Sequence, residues 1–307
     1  SARLFEHIAH EPWAMLLDSG QMLNANTGKP GSQYGQYDII VAKPITTLVT
    51  NAGATTIQDG NEVKVFTEDP FALLNQLLKR YPAQDIGVPF AGGAVGYFAY
   101  DLGRRVEKIN DNNTPENIPE MMIGIYDWAV VVNHKKKETM LISHGFLQET
   151  KQNWLALTHL FQDAIKPSQS AFKVLSETQC NFSETSYCNA FDKIKAYIHS
   201  GDCYQVNLAQ RFSAEVSGDS WLAYKKLREI SPAPFMAYMQ LPNSQNDFFQ
   251  VLSSSPERFV QVIGHHVETR PIKGTRPRAE DLKQDLAYAK ELQDSEKDQA
   301  ENLMIVD

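Results

Sequence analysis

Hydrophobic positions along the chain follow two different periods. Before Glu68 they fall in β-branched runs separated by Gly, Asn and Pro, as in "WAMLLDSG", "YDIIVAKPITTLVT" and "NEVKVFT", which predicts strands. The next segment, "DPFALLNQLLKR", has helical spacing, with Asp69 as its cap and Pro70 in the first turn. Its predicted apolar face consists of Phe71, Leu74, Leu77 and Leu78.

Glycines at positions 92, 93 and 96 in "FAGGAVGYFAYDLGRR" raise the question of a phosphate-binding loop. The segment lacks both the GK[ST] ending of a P-loop and the GxGxxG spacing of a dinucleotide-binding turn. Glycine inside a strand also marks the close approach of another backbone. We therefore interpret this segment as a closely packed strand.

The second half of the chain alternates between the same two patterns. The segment "SETSYCNAFDKIKAYIHSG" predicts a helix that ends at Gly201. Alternation in "CYQVNLAQRFSAEV" predicts a strand, and "FFQVLSSSPERFVQVI" and "HHVETRPIKGT" predict neighbouring strands of one sheet. The last part is amphipathic helix, with Ser295 and Asp298 at capping-box spacing. The fold class is therefore α+β, with large antiparallel sheets and helices packed outside.

Composition and charge narrow the function classes. The chain has 307 residues, 42% of them hydrophobic and 21% charged, which is typical of a folded globular protein. A net charge of −8 argues against nucleic acid as the main partner. No apolar run reaches the roughly 18 residues that a membrane span needs, and no signal peptide opens the chain. We expect no membrane association and a cytoplasmic location.

Two further features are the cysteines and the chain ends. Cys180, Cys188 and Cys203 form no CxxC pair, so neither a disulfide framework nor a zinc site is predicted. The chain opens with Ser, and no glycine, cap or polar tail follows its last segment, "AENLMIVD". Because helices normally end in such signals, we expect a C-terminally truncated part of a protein.

The segment "TRPIKGTRPR" places Lys273 among residues that restrict the backbone. Pro271 and Pro277 limit the chain to extended or turn conformations, and Gly274 allows a close backbone approach. The segment can therefore aim one amine into a site, but a solvated basic turn would have the same composition. Nearby cations form either a pocket for an anionic small molecule or a strand face in water; they are Arg258, Arg270, Arg276 and Arg278.

Five separated motifs, read together, resemble one enzyme family. In order and spacing, "GDCYQVNLAQRF", "SPAPFMAYM", "SSSPERF", "TRPIKGTRPR" and "KDQAENLMIVD" are similar to motifs of the chorismate-utilising enzymes. The likeness runs from about Trp13 to the last residue and implies the α+β fold of that family. It implies an N-terminal β-rich region at 1–150 and the first part of the chorismate-binding catalytic region at 151–307.

The resemblance implies roles for five residues. Glu257 matches the general acid that protonates the leaving 4-hydroxyl of chorismate, and Lys273 matches a nucleophile that attacks C2. Glu301 matches a ligand of Mg²⁺, the implied cofactor. Gln205 and Thr275 match substrate-binding positions. Relatives that use water carry lysine at the position of Gln205, so glutamine here implies amination.

The implied reaction is the addition of ammonia to C4 of chorismate in folate biosynthesis, with ammonia from a separate glutamine amidotransferase subunit. Two alternatives stay open. One is the branch that aminates C2 and eliminates pyruvate, which has alanine at the position of Lys273. The other is a non-catalytic tryptophan-binding fragment. Because relatives supply a second magnesium glutamate and substrate-binding arginines from a C-terminal part, we expect the chain as given to be inactive on chorismate.

The resemblance also implies a pocket for L-tryptophan. Its predicted lining comes from "LLDSG", "QYGQYD" and "APFM" and comprises Ser19, Tyr34, Gly35, Gln36, Tyr37, Pro234, Phe235 and Met236. Aromatic walls suit an indole. Gly35 departs from the family, where a serine is expected, so the resemblance implies one polar contact fewer. The alternative is that these aromatic residues belong to an ordinary core.

Overall fold

Antiparallel strands form most of the regular structure. The computed structural model describes residues 1–20, 34–82, 86–107, 118–162, 170–243 and 247–306. The described helices are α1 (Ala2–Phe5), α2 (Pro70–Leu78), a 3₁₀ helix (Tyr100–Arg105), α3 (Gln148–Gln152), α4 (Trp154–Leu160), α5 (Glu184–Ser200), α6 (Ser220–Ile230), α7 (Leu282–Asp294) and α8 (Glu296–Val306).

The described strands lie mainly in the first half of the chain. They are β1 (Met15–Asp18), β2 (Tyr37–Val41), β3 (Thr46–Asn51), β4 (Ala54–Asp59), β5 (Glu62–Phe66), β6 (Gly93–Phe98), β7 (Met121–Tyr126), β8 (Trp128–Asn133), β9 (Glu138–Ser143), β10 (Lys173–Val174), β11 (Gln179–Cys180), β12 (Phe212–Ser213), β13 (Val216–Ser217), β14 (Phe235–Pro242), β15 (Phe248–Ser255), β16 (Gln261–Ile263) and β17 (His266–Glu268).

The chain divides into two compact units, one formed by Ser1–Ile165 with Lys225–Asp307 and the other by Lys166–Tyr224. In the first unit, the described strands form a six-stranded sheet in the order β15-β14-β1-β2-β8-β9 and a five-stranded sheet in the order β5-β4-β3-β7-β6. All pairs in both sheets are antiparallel. This arrangement confirms the predicted α+β class, whereas the boundary at residue 150 stays a prediction.

The two sheets of the first unit share one apolar core. Met15, Val131 and Met239 of the six-stranded sheet pack in the same cluster as Met122 and Tyr126 of the five-stranded sheet. The buried hydroxyl of Tyr126 donates to the carbonyl of Trp13 at 2.8 Å. That hydrogen bond satisfies a phenol and a backbone carbonyl that would otherwise be costly to bury.

Helix α2 covers the other face of the five-stranded sheet. Asp69 accepts a hydrogen bond from the amide of Phe71 at 3.0 Å, which confirms the predicted cap. Leu77 is buried as predicted, but Phe71 is 42% exposed and Leu73 takes its place in the core. Phe71 instead stacks on Phe98, with ring centroids 5.3 Å apart. The predicted apolar face was therefore wrong at its first position.

The glycine-rich segment forms strand β6, as predicted. At Gly96 an added Cβ would lie 1.9 Å from the carbonyl oxygen of Met122 on the paired strand β7. A side chain there would force the two strands apart, so the glycine serves close packing.

The second unit contains helix α5, whose prediction is confirmed at both ends. Ser183 and Ser186 form a capping box, and Gly201 has φ 83° at the C-terminal end. The predicted strand from Cys203 is largely wrong, because only β12 and β13 are extended and the preceding stretch is irregular. Alternation shows that a segment can form a strand, but a strand also needs a partner.

The C-terminal segments differ from the prediction in their pairing. Strand β15 belongs to the six-stranded sheet, whereas β16 and β17 form a separate two-stranded hairpin. The predicted pairing of the two segments is therefore confirmed where β16 meets β17, but the first segment is two strands in different sheets rather than the single predicted strand. The start of α8 agrees with the predicted cap, since the amide of Asp298 donates to the hydroxyl of Ser295 at 3.4 Å.

None of the helices in the described part of the chain is long and apolar enough to cross a membrane.

Candidate active site and aromatic pocket

The segment that carries Lys273 is pressed against the last two helices. An added Cβ at Gly274 would lie 2.5 Å from Leu292 of α7 and 2.7 Å from the Asp298 carboxyl of α8. The side chain of Lys273 is 16% exposed, and its Nζ lies 3.9 Å from Oε1 of Glu301. The structure thus brings the predicted nucleophile and the predicted metal ligand together.

Arg276 and Arg278, which follow Lys273, each face a different carboxylate. Arg276 Nε lies 2.7 Å from Glu291. Arg278 Nη2 lies 2.7 Å from Asp285, and its hydrogen bond holds the pKa of that carboxyl below its usual range. These arginines therefore do not form the open cationic cluster that would favour a small anion, and their charge is largely compensated within the segment and α7.

The predicted acid, Glu257, lies in a turn directly after β15. The hydroxyl of Ser255 donates to the Glu257 carbonyl at 3.0 Å and accepts from the Glu257 amide at 3.3 Å. The residue is half-buried. Two hydrogen bonds to one hydroxyl therefore fix the backbone of the candidate acid.

The two predicted substrate-binding residues lie in different units. Thr275 is exposed in the first unit, and its carbonyl accepts from Nη1 of Arg276 at 3.0 Å. Gln205 lies in the second unit, on the irregular stretch after α5, and is also exposed. Their contact with a substrate stays a prediction.

The carboxylate of Glu301 is a suitable ligand for a hard cation, but it is a single ligand. Mg²⁺ prefers oxygen ligands and is usually held by one or two carboxylates together with substrate oxygens and water. The side chain of Glu301 is 25% exposed, which leaves its carboxylate accessible. Within the described ranges, no group of three or more His, Cys, Asp or Glu side chains could hold a metal ion. Glu301 therefore fits as a single magnesium ligand that needs further oxygens from elsewhere.

Strand pairing brings the segments of the predicted tryptophan pocket together. Asp18 of β1 pairs with Met236 of β14, so Ser19 comes next to the start of β14. Gly20 has φ 60°, and an added Cβ would lie 2.2 Å from the carbonyl oxygen of Ala233. Only glycine permits this approach. Residues more than 200 positions apart thus meet at one end of the six-stranded sheet.

A buried carboxylate that the sequence analysis missed orients Ser19. Asp38 Oδ1 accepts from the amide of Ser19 at 2.7 Å and from its hydroxyl at 2.6 Å, and Oδ2 lies 2.7 Å from Nε2 of His134. Burial alone would raise the pKa of Asp38, but hydrogen bonds from His134, Ser1 and Ser19 outweigh it and hold the pKa at about 2. A charged residue at the second position of the otherwise apolar run "YDIIV" was the available signal.

Aromatic residues and arginines adjoin the same end of the sheet. The rings of Tyr34 and Phe235 lie 5.9 Å apart. The guanidinium of Arg258 lies over both rings, and Nη1 of Arg270 donates to the Tyr34 hydroxyl at 2.9 Å. Neither arginine was among the predicted pocket residues, because nothing in the sequence shows which distant ring an arginine reaches.

The other predicted pocket residues have mixed environments. Gly35 and Met236 are buried, and Pro234 and Gln36 are half-buried. Tyr37 packs against the core between the two sheets. The structure therefore brings Ser19, Tyr34 and Phe235 to one region and gives Tyr37 a packing role. Gln33, the first residue of the quoted "QYGQYD" motif, lies outside the described residues.

The chain is similar in sequence to a known protein family and to several of its members. A family model described as "chorismate binding enzyme" matches residues 24–307. Aminodeoxychorismate synthase component 1 of Salmonella typhimurium is 41% identical over 99% of this chain, and that of Escherichia coli is 40% identical over 99%. Anthranilate synthase component 1 of Bacillus subtilis is 31% identical over 90% of this chain.

The chain spans less than two thirds of the length of these relatives, with 63% of the first two covered and 57% of the third. Among solved structures, anthranilate synthase component I from Streptococcus pneumoniae aligns with a TM-score of 0.70 and 24% identity. That alignment covers 93% of this chain and 63% of the other. It shows a shared fold.

Proposed function

Since this chain belongs to the chorismate binding enzyme family, we propose that it forms the larger part of an aminodeoxychorismate synthase component 1. The whole protein would convert chorismate and ammonia to 4-amino-4-deoxychorismate, an intermediate of folate biosynthesis. The observation that carries this proposal is the lysine at position 273, held 3.9 Å from Glu301 on a segment pressed against α7 and α8. Greater identity to aminodeoxychorismate synthases than to anthranilate synthases also supports it.

The proposed chemistry assigns one step to each of two side chains. The neutral amine of Lys273 attacks C2 of chorismate, the ring double bonds shift, and the C4 hydroxyl leaves as water with the proton of Glu257. Ammonia then adds at C4, the double bonds return, and the amine of Lys273 leaves C2. Chorismate and ammonia thus give 4-amino-4-deoxychorismate and water, and the enzyme is regenerated.

Glu301 is the residue of this chain proposed to hold Mg²⁺. When bound, the ion neutralises a carboxylate of the substrate and fixes its orientation. Oε1 of Glu301 lies 3.9 Å from Nζ of Lys273. With Glu301 engaged by a cation, the amine of Lys273 would no longer have this carboxylate as its ion-pair partner.

The proposed source of ammonia is a separate glutamine amidotransferase subunit. The relatives are named component 1, which implies that a second component exists for them. Gln205 replaces the lysine that activates water in other branches, so the proposed nucleophile at C4 is ammonia.

The pocket at the end of β1 and the start of β14 is proposed to bind L-tryptophan. Tyr34 and Phe235 provide aromatic surfaces, and Ser19 is oriented by Asp38. Because Ser19 donates its hydroxyl hydrogen to Asp38, its oxygen can accept from the ammonium group of an amino acid.

Product analysis tests the proposed reaction. The whole protein, supplied with chorismate, Mg²⁺ and ammonium chloride, should produce 4-amino-4-deoxychorismate without pyruvate. Anthranilate with an equal amount of pyruvate would instead identify the C2 branch. Tryptophan binding without any consumption of chorismate would support the non-catalytic alternative.

A further inference from the structure

Helix α8 contacts the basic segment at the residue next to Lys273. A Cβ added to Gly274 would lie 2.7 Å from both Cγ and Oδ2 of Asp298. The side chain of Asp298 is only 14% exposed. Its carboxyl therefore rests directly on the backbone of Gly274, in the space that a side chain at position 274 would need.

Arg276 connects the same carboxyl to helix α7. Its Nη2 lies 3.6 Å from Oδ2 of Asp298, and its Nε donates to Oε1 of Glu291 at 2.7 Å. The arginine thus joins the segment to both helices. Because Gly274 and Arg276 both contact Asp298, this one carboxyl holds the chain on the C-terminal side of Lys273.

Asp298 and the partner of Lys273 lie on one face of α8. Asp298 precedes Glu301 by three residues, and side chains at that spacing are neighbours on a helix. Glu301 lies 3.9 Å from the amine of Lys273, whereas Asp298 contacts the backbone that follows it. The hydrogen bond from the Asp298 amide to Ser295 fixes the start of the helix. One face of α8 therefore contacts both the amine of Lys273 and the adjoining backbone.

We infer that Asp298 is a positioning residue for Lys273. It holds residues 274–276 against α8, and so keeps the amine of Lys273 at one place beside Glu301. This inference rests on the proposed function, because the position of the amine matters for a reaction only if the amine must reach a substrate atom. A misplacement of about 1 Å can reduce the rate of a reaction about 100-fold.

The main test variant is Asp298→Asn in the whole protein, since the amide keeps the shape of the side chain and loses the charge that attracts Arg276. With chorismate, Mg²⁺ and ammonium chloride, kcat should fall about tenfold and KM should stay within about threefold of wild type. Arg276→Gln should also lower kcat. The double variant should lose less than the product of the two single losses, because both substitutions remove one contact.

Asp285→Asn is the matched control. Asp285 lies on α7 and pairs with Arg278 of the same segment, accepting from Nε and Nη2 at 2.7 Å each. Its side chain is 18% exposed, close to the value for Asp298. The substitution removes an ion pair of the same type farther along the segment, where the arginine is 88% exposed. Both kcat and KM should therefore stay within about twofold of wild type.

Acetylation reports the position of Lys273 without turnover. Acetic anhydride reacts with accessible amines, and the side chain of Lys273 is 16% exposed. Release of the segment from α8 in Asp298→Asn should raise the acetylation rate of Lys273 about threefold or more, measured by mass spectrometry. Asp285→Asn should leave that rate unchanged. Thermal unfolding shows whether each variant is folded at the assay temperature, and Arg276→Gln replaces Asp298→Asn in the comparison if the latter is not.

A wild-type kcat in Asp298→Asn, or unchanged acetylation of Lys273, would overturn the inference. A raised Mg²⁺ requirement in that variant would also overturn it, because Asp298 would then be a metal ligand. If the wild-type protein forms no 4-amino-4-deoxychorismate, the proposed function fails, and the acetylation rates alone decide whether Asp298 positions Lys273.

Discussion

Lys273, in the segment "TRPIKGTRPR", and Glu301, on helix α8, form an ion pair in which Nζ and Oε1 lie 3.9 Å apart. Two groups with different proposed roles thus neutralise one another before substrate arrives. The pair is mostly shielded from solvent, with 16% and 25% of the side chains exposed. In the proposed reaction, Lys273 and Glu301 would have to separate for each to take its own role.

Glu301→Gln should raise the Mg²⁺ concentration needed for half-maximal activity about 10- to 100-fold, since an amide is a weaker ligand than a carboxylate. The measurement is a Mg²⁺ titration of product formation by the whole protein. Glu296→Gln changes an exposed carboxylate on the same helix and should leave the titration unchanged. Identical titrations for the two variants would exclude Glu301 as a ligand.

Asp38→Asn should destabilise the protein by about 2 kcal/mol at neutral pH, because the folded carboxylate has a pKa of about 2 against about 3.9 when unfolded. Its contribution is complete above the unfolded pKa and is lost as pH falls through the folded one. Urea unfolding at a series of pH values between neutral and acid checks this. The difference between wild type and variant should shrink on acidification, and a constant difference would contradict the assignment.

Tyr126→Phe should reduce the free energy of unfolding by about 1 to 2 kcal/mol, because it leaves the carbonyl of Trp13 buried without its hydrogen bond. Tyr100→Phe is the control, since Tyr100 is 99% exposed and its hydroxyl is already solvated. Denaturant unfolding of both variants compares the two sites. Equal losses would show that the buried hydrogen bond makes no special contribution.

L-Tryptophan should raise the melting temperature in a concentration-dependent way, because a ligand that binds only the folded state stabilises it by mass action. Ser19→Ala should weaken the binding about tenfold, as it removes an acceptor for the ligand's ammonium group. Calorimetry and thermal unfolding measure the two effects. Leucine, which lacks an aromatic ring, should produce no shift at the same concentration, and an equal shift would argue against an indole site.

Sequence patterns correctly predicted the helix ends that are stabilised by residues only a few positions away. The cap at Asp69 and the left-handed end at Gly201 follow from residues a few positions away, and both are confirmed. The stretch after Cys203 was predicted as a strand, but alternation carries no information about the pairing partner. Phe71 was misplaced because its exposure depends on stacking with Phe98.

For the candidate site, the sequence predicted the residues that lie within the motifs but not the residues that contact them. Lys273, Glu257 and Glu301 stand in recognisable segments, and the structure shows Lys273 beside Glu301. The contacts of Asp38 with Ser19, and of Arg258 with Tyr34, depend on strand register and on long-range folding. A sequence pattern does not specify such partners, so the support around the predicted residues emerged only from the structure.

Mass spectrometry of the whole protein, quenched during turnover with chorismate, Mg²⁺ and ammonium, tests the central role of Lys273 most directly. The proposed mechanism predicts a covalent adduct of the substrate ring on the peptide that contains Lys273, and its absence from Lys273→Ala together with a large loss of 4-amino-4-deoxychorismate formation. A peptide that stays unmodified, alongside a Lys273→Ala variant that forms the same product at near wild-type rate, would contradict it.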